Sequence, residues 1–368
     1  MYKKDRYGPE YVIEVYDEKT GVSGVLVIDN TARGPGKGGI RMVPDITTEE
    51  VMGLARAMTW KNALADIPFG GAKAGIKADG RSLSNKEKEA IMRAFAKKIS
   101  MFTPSLYIAG PDMYVTEKEM AVFADVNGLN SCTGKPSSMG GLPHELGSTG
   151  FGVAWAAKTA VEELGESIEG MSVAIEGFGN VGTFTARFLS EMGAKIVAVS
   201  DSKGTIYNEN GLDVNKLIEV KSKTRSVINY DNGRKMESKD LFSLNVDILI
   251  PGARPNVINE SNWEYVKAKY IVEAANIPIP HDIEKKLEDK GKIVLPDFLV
   301  NAGGVISSWA ETMGYSKDEM FSVVKSKIVN NTKDVISRRN EMKYTRDATM
   351  SIAKERVDDA MVKRGWSE

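Results

Sequence analysis

Near the start of the chain, Tyr11, Ile13 and Val15 alternate with polar neighbours. That period predicts a half-buried strand, and the β-branched run at 25–28 predicts a second. The spacing then turns helical. Val51, Leu54, Ala55 and Met58 form one apolar stripe behind Thr47, whose hydroxyl can cap the first turn while Glu50 reaches back. A Gly-rich stretch over 68–75 follows, then a helix over 85–99 and a short apolar strand at 107–109 that ends at Gly110-Pro111-Asp112. A second capping box, Thr116 to Glu119, opens the next helix. From residue 148 the pattern alternates between strand and helix. Short apolar strands are expected at 172–176, 196–200, 247–250, 270–273 and 293–295, with helices at 181–192 and 281–290 between some of them. This is the layout of a doubly wound α/β domain. From Lys317 onward the chain is charged and helical in period. We expect that tail to pack back on the first domain or to cover the junction.

Composition narrows the classes. A chain of 368 residues predicts two or three domains. Lys plus Arg total 49 against 50 for Asp plus Glu, a balance that argues against a dedicated nucleic-acid binder. One cysteine, Cys132, excludes an internal disulfide framework and fits a reducing compartment. With only His144 and His281, a multi-histidine metal site is not expected. No apolar run approaches the roughly 20 residues that span a bilayer, and the start, Met1-Tyr2-Lys3-Lys4-Asp5-Arg6, lacks the apolar core of a signal peptide. The expectation is a soluble, cytoplasmic protein with no membrane or nucleic-acid partner and no resident metal.

The first chemical motif is Gly177-Phe178-Gly179-Asn180-Val181-Gly182, directly after a strand and opening an amphipathic helix. In G-x-G-x-x-G the first glycine permits the turn, the second admits a pyrophosphate, and the third lets helix and strand pack closely. The phosphates would meet the helix N-terminus. Asp201, at the end of the next strand, stands near the position of an acidic ribose partner. The competing reading is a tight βα turn without ligand, which the complete strand–turn–helix context disfavours. Asp201 favours a free 2′-hydroxyl, whereas Ser202 and Lys203 could hold a 2′-phosphate, so the choice between NAD and NADP is open.

The second is a set of lysines among glycines and apolar residues. Lys37 sits in Gly34-Pro35-Gly36-Lys37-Gly38-Gly39, Lys61 follows Trp60, and Lys73 sits in Gly70-Gly71-Ala72-Lys73-Ala74-Gly75. Such lysines lose hydration and become useful acids or bases, or stay charged and clamp carboxylates. Solvated lysines on flexible loops are the bland alternative. Asp112, beside such a lysine, is a candidate proton shuttle; alone it would read as a turn residue. Cys132, Met52, Met58, Trp60 and Trp155 read first as packing residues, and His144 as structural or exposed.

Taken in order, the segments Gly34-Pro35-Gly36-Lys37-Gly38-Gly39-Ile40-Arg41, Met58-Thr59-Trp60-Lys61-Asn62-Ala63-Leu64, Pro68 through Gly75, Gly110-Pro111-Asp112-Met113, Ser148-Thr149-Gly150-Phe151-Gly152, the glycine fingerprint, Ala274-Ala275-Asn276 and the stretch 296–308 resemble the glutamate/leucine/phenylalanine/valine dehydrogenase family over nearly the whole chain. The resemblance implies an N-terminal α/β substrate and oligomerisation domain (1–147), an NAD(P)-binding Rossmann-type domain (148–330) and a C-terminal helical segment (331–368) that returns to the first, with a cleft between the two domains. It implies a homohexamer.

It also implies roles. Lys73 and Asp112 match the catalytic lysine and aspartate. Lys61 matches the residue that holds the substrate α-carboxylate, with Met58 as pocket wall. Lys37 and Ser308 match the pair that holds the side-chain carboxylate in the glutamate branch, which points to oxidative deamination of L-glutamate to 2-oxoglutarate and ammonium. Thr149, Asn180, Asn276 and Asn301 match cofactor-contacting positions, beside Gly177, Gly179, Val181, Gly182, Asp201 and Ser202 of the fingerprint region. Two segments depart from the family pattern. Glu145 stands where an arginine is usual, and Ile277-Pro278-Ile279 replaces Gly-Pro-Thr. The alternatives are a leucine-, phenylalanine- or valine-type dehydrogenase, or a non-catalytic nucleotide-binding relative.

Overall fold

A computed structural model describes residues 4–143 and 146–366. His144 and Glu145 therefore lie outside the described residues. The chain forms two compact units. The first comprises the chain up to Leu146, Val305–Met320 and the chain from Ile352 on. The second comprises Gly147–Gly304 and Phe321–Ser351. This division differs from the expected one. The stretch 305–320 packs with the first unit, and of the expected tail only the part from Ile352 does so, while 331–351 packs with the second. An apolar helix surface buries wherever a complementary face stands, and a linear pattern does not say which face that is.

In the first unit the elements are β1 (Tyr11–Asp17), β2 (Val22–Asn30), β3 (Gly36–Met42), α1 (Thr48–Leu64), β4 (Gly70–Ile76), α2 (Asn85–Lys98), β5 (Tyr107–Pro111) and α3 (Glu117–Asn127). The five strands form one sheet in the order β1-β2-β4-β3-β5. β1 and β2 are antiparallel, as are β2 and β4, whereas β3 is parallel to both β4 and β5. Alternation sorts β2 between two cores. Leu26 and Ile28 join Met92, Phe95, Met120 and Phe123 of α2 and α3; Val25 and Val27 join Val51, Met52 and Ala55 of α1. Thr47 caps α1 by accepting from the Glu50 N–H at 3.1 Å. Glu50 does not reach back, because its carboxylate instead accepts from Arg41 at 2.8 Å. The Thr116–Glu119 box is formed as expected.

The two glycine-rich segments are β3 and β4, inner strands of the sheet rather than loops. Glycine has poor intrinsic strand preference, yet here bulk is excluded. A Cβ on Gly71 would lie 2.1 Å from Thr59 Oγ1 and 2.3 Å from its backbone nitrogen, so α1 lies directly on β4 only because Gly71 has none.

In the second unit the elements are α4 (Ser148–Glu163), β6 (Ser172–Glu176), α5 (Asn180–Glu191), β7 (Lys195–Asp201), β8 (Gly204–Tyr207), α6 (Val214–Thr224), β9 (Arg234–Met236), β10 (Ile248–Pro251), β11 (Tyr270–Val272), α7 (His281–Asp289), β12 (Ile293–Leu295) and α8 (Asp297–Val300). The sheet order is β12-β11-β10-β6-β7-β8-β9. β12, β11, β10, β6 and β7 run parallel, and the expected doubly wound core is present. β8 and β9 add antiparallel strands at one edge. At four and three residues they are too short to show a strand period. The chain reverses its order between β10 and β6, the switch point where open α/β sheets bind ligands. The last helices are α9 (Gly303–Thr312), α10 (Lys317–Arg339) and α11 (Thr345–Lys363). Among the described residues no helix is long and apolar enough to cross a membrane.

Candidate active site

The parallel strands β4, β3 and β5 bring two of the expected residues into contact. Lys73, on buried β4, ion-pairs with Asp112 at the exit of β5, with 2.5 Å between Nζ and Oδ2. Arg41, from β3, reaches the same oxygen at 3.2 Å and is braced from behind by Glu50. Burial alone would push the Asp112 carboxyl up; the Lys73 ammonium and the Arg41 guanidinium outweigh it and hold it below its ordinary range. Asp112 is therefore a carboxylate with a fixed partner.

Lys37 is 3% exposed. Its ammonium donates to the Ala109 carbonyl at 2.8 Å. Burial, above all, pulls it down to about 7, with the Glu311 carboxylate opposing and Lys135 and Lys73 adding to the fall. A Cβ on Gly110 would stand 2.7 Å from Lys37 Nζ, so the bare β5 backbone makes room for the ammonium. Behind it Glu311 of α9 pairs with Lys135 at 2.5 Å and accepts from the Gly134 and Leu142 N–H groups, each at 2.9 Å. That clamp secures the segment after β5. Met58 and Lys61 share a face of α1 one turn apart, both half-buried, and Ser308 is half-buried on α9. Cys132 is fully buried, as a packing residue should be, and burial pushes its thiol up to about 11.

Arg41, Glu50, Lys135 and Glu311 carry no site role in the sequence reading. Arg41 had a signal, since it closes the glycine-rich strand. Glu311 had none, because its partners are more than 160 residues away in the chain.

In the second unit the fingerprint follows β6 at the switch point. Gly177 has φ 93°, and a Cβ there would strike Ala253 at 2.7 Å. A Cβ on Gly182 would lie 1.9 Å from the Gly177 carbonyl, so helix and turn touch. A Cβ on Gly179 would meet nothing within the protein. Its bareness suits a group from outside, and no side chain caps α5 behind it. Asn180 is exposed and Val181 half-buried at the head of that helix. The residues thus fit a pyrophosphate. Thr149 lies in the first turn of α4, which likewise has no side-chain cap. Asn301 donates to Asn276 Oδ1 at 3.0 Å, which joins two of the expected cofactor positions.

Asp201 differs from expectation. Its carboxylate pairs with Lys221 at 2.5 Å and accepts from the Lys203 and Val227 N–H groups at 2.8 Å each and from Ser226 Oγ at 3.3 Å. With its side chain 5% exposed, no lone pair is left for a ribose hydroxyl. Ser202 and Lys203 beside it are exposed. Among the described residues no cluster of His, Cys, Asp and Glu could hold a metal ion.

Two family models match. Residues 9–127 match the Glu/Leu/Phe/Val dehydrogenase dimerisation domain and residues 140–365 the Glutamate/Leucine/Phenylalanine/Valine dehydrogenase domain. The chain belongs to this family and is an amino-acid dehydrogenase with a nicotinamide cofactor, NAD or NADP. It is 42% identical to a glutamate dehydrogenase of Aeropyrum pernix, covering 92% of this chain and 85% of that one. It is 40% identical to an NADP-specific glutamate dehydrogenase of Saccharolobus shibatae, covering 97% and 90%. Among solved structures, a glutamate dehydrogenase from Peptoniphilus asaccharolyticus superposes with a TM-score of 0.86 at 30% identity, covering 98% and 92%. A hetero-hexameric glutamate dehydrogenase from Thermus thermophilus in its Leu-bound form gives 0.85 at 28%, covering 97% and 90%.

Proposed function

We propose that this chain catalyses the reversible oxidative deamination of L-glutamate to 2-oxoglutarate and ammonium. The observation that carries the substrate assignment is Lys37. It is a buried ammonium with three donors and one hydrogen-bonded acceptor, a backbone carbonyl. Such a group is costly unless a carboxylate joins it. An amino acid with a second carboxylate supplies one; leucine, phenylalanine and valine do not.

L-Glutamate, water and the oxidised cofactor give 2-oxoglutarate, ammonium, the reduced cofactor and a proton. The nicotinamide, when bound, supplies the hydride acceptor and donor. Lys37 and Ser308 hold the side-chain carboxylate. Lys61 holds the α-carboxylate, and Met58 walls the pocket. Two fixed carboxylates leave Cα little freedom, which is how orientation lowers the barrier. Asp112 takes a proton from the substrate amino nitrogen. Lys73 Nζ, once it has passed its ammonium proton to solvent, orients the water that adds to the imine carbon, takes the proton that water loses, and as the ammonium stabilises charge developing on the oxygen. Arg41 keeps Asp112 ionised for its part.

Gly177, Gly179, Asn180, Val181 and Gly182 hold the pyrophosphate, and Thr149, Asn276 and Asn301 the nicotinamide half. Asp201 braces the loop beside the ribose, and the ribose meets Ser202 and Lys203 instead. That edge suits a 2′-phosphate better than a free hydroxyl, so NADP is the favoured cofactor. The relative from Saccharolobus shibatae bears an NADP-specific name. The enzyme works as a homohexamer assembled through its first unit, in the cytoplasm. A steady-state panel of amino acids crossed with NAD and NADP, followed at the reduced-nicotinamide band, tests the reading. Leucine turned over as well as glutamate would overturn it.

A further inference from the structure

Asn276 is followed by Ile277, whose φ of 48° lies in the left-handed region. A β-branched side chain is disfavoured there. The other described residues with positive φ, glycine aside, are Asp66, Tyr114, Arg225 and Asn256, none of them β-branched. Apolar packing does not hold Ile277 in place, because it is 55% exposed. Two hydrogen bonds do. Its N–H donates to Asp297 Oδ2 at 2.9 Å, and its carbonyl accepts from the Asn256 N–H at 3.0 Å.

Asp297 is itself held. Its other carboxylate oxygen accepts from Arg346 at 3.0 Å, and its N–H donates to Glu273 Oε2 at 3.0 Å. Arg346 is largely buried and also reaches Glu284 at 2.6 and 2.7 Å and Glu273 at 3.0 Å. Glu273 Oε1 has no donor beside it. Burial first, and the Glu284 carboxylate next, push the Glu273 carboxyl well above its ordinary range. Arg346 is the one cation among the three carboxyl groups of Glu273, Glu284 and Asp297 that it reaches. Arg346 thus fixes the carboxylate that fixes Ile277, and Ile277 sets the direction of the backbone that presents Asn276 to Asn301.

We propose that Arg346 is a positioning residue for the nicotinamide half of the cofactor site, acting through Asp297 on the left-handed Ile277 and so on Asn276. This rests on the cofactor roles proposed above for Asn276 and Asn301, and specifies what orients them.

The test uses the full-length enzyme, with whichever of NADH and NADPH the wild type binds more tightly, and ADP-ribose as a probe that lacks nicotinamide. Asp297→Ala and Arg346→Met should each weaken reduced-cofactor binding at least fivefold while leaving ADP-ribose affinity within twofold. kcat should fall at least tenfold with KM for glutamate within threefold. Adding Ile277→Gly to Asp297→Ala should restore cofactor binding to within threefold of wild type, because glycine takes the left-handed conformation without help. Should Arg346→Met not fold, Arg346→Lys, which keeps the charge but not the fork, replaces it with the same expectation. Equal weakening of ADP-ribose and cofactor, or no recovery with Ile277→Gly, overturns the proposal and leaves the function reading standing. A wild type that binds neither reduced cofactor overturns both.

Discussion

Lys73 Nζ and Asp112 Oδ2 stand 2.5 Å apart across the β4–β3–β5 ladder, with Arg41 on the same carboxylate oxygen at 3.2 Å. The acid is thereby kept ionised, beside the amine to which the proposed mechanism gives the water's proton. Lys73→Ala should cut kcat by about 10³-fold or more, the scale of lost acid–base catalysis together with lost electrostatic stabilisation. Cofactor affinity, read by fluorescence of the reduced nucleotide, should stay within about twofold. A variant with near-normal turnover would remove Lys73 from the mechanism.

Lys37 gives a pH dependence. Its folded-state value of about 7 lies below the 10.5 of an unperturbed lysine. Between those values the unfolded chain binds more protons than the folded one, so this group's contribution to stability rises with pH across that window. In the role proposed for Lys37, substrate affinity runs the other way, because only the ammonium form holds a carboxylate. kcat/KM for 2-oxoglutarate should fall as pH rises through about 7, the Lys37 value in the free enzyme. In Lys37→Met that arm should vanish and preference for glutamate over leucine should collapse by a factor on the order of 10³ or more.

Gly110 tests the same subsite without removing its charge. A Cβ there would meet Lys37 Nζ at 2.7 Å, and the amine is the mobile end of a flexible chain. Gly110→Ala should therefore fold, displace the ammonium and raise KM for glutamate roughly tenfold, equivalent to about 1.4 kcal/mol. An unchanged KM would show that Lys37 does not touch substrate.

At the ribose edge, the Asp201 carboxylate is spent on Lys221 and two backbone N–H groups. NADPH should bind at least tenfold more tightly than NADH. Ser202→Asp should reverse that order, since a carboxylate repels a 2′-phosphate and accepts from a 2′-hydroxyl. Calorimetric titration of both nucleotides checks it; equal affinities for the wild type would return Asp201 to the ribose.

Much of this was legible in the linear pattern. The glycine fingerprint, the short apolar runs of the second unit and the Thr116–Glu119 box depend on neighbours close in the chain. Those are the distances over which period and capping chemistry act. Family resemblance then pointed to Lys73 and Asp112, which do meet. β3 and β4 escaped notice because glycine carries no strand signal. Their place in the sheet is set by pairing with β2 and β5, and α1 lies on β4 at Gly71, where a side chain would not fit.

By itself the amino-acid sequence determined which groups are available: lysines among glycines, a βα turn open to phosphates, an aspartate after a buried strand. Their local geometry follows from backbone sterics and short-range hydrogen bonds. Only the tertiary structure decided what each polar group already holds. Asp201 reads in the sequence as a ribose partner and is taken up by Lys221, Ser226 and two backbone N–H groups; Lys37 reads as a poorly hydrated amine or a carboxylate clamp and is buried beside one carbonyl. Glu311 and Arg346 gain their partners from distant parts of the chain. Burial and ion pairing depend on which surfaces meet in space, and that is settled when the whole chain packs.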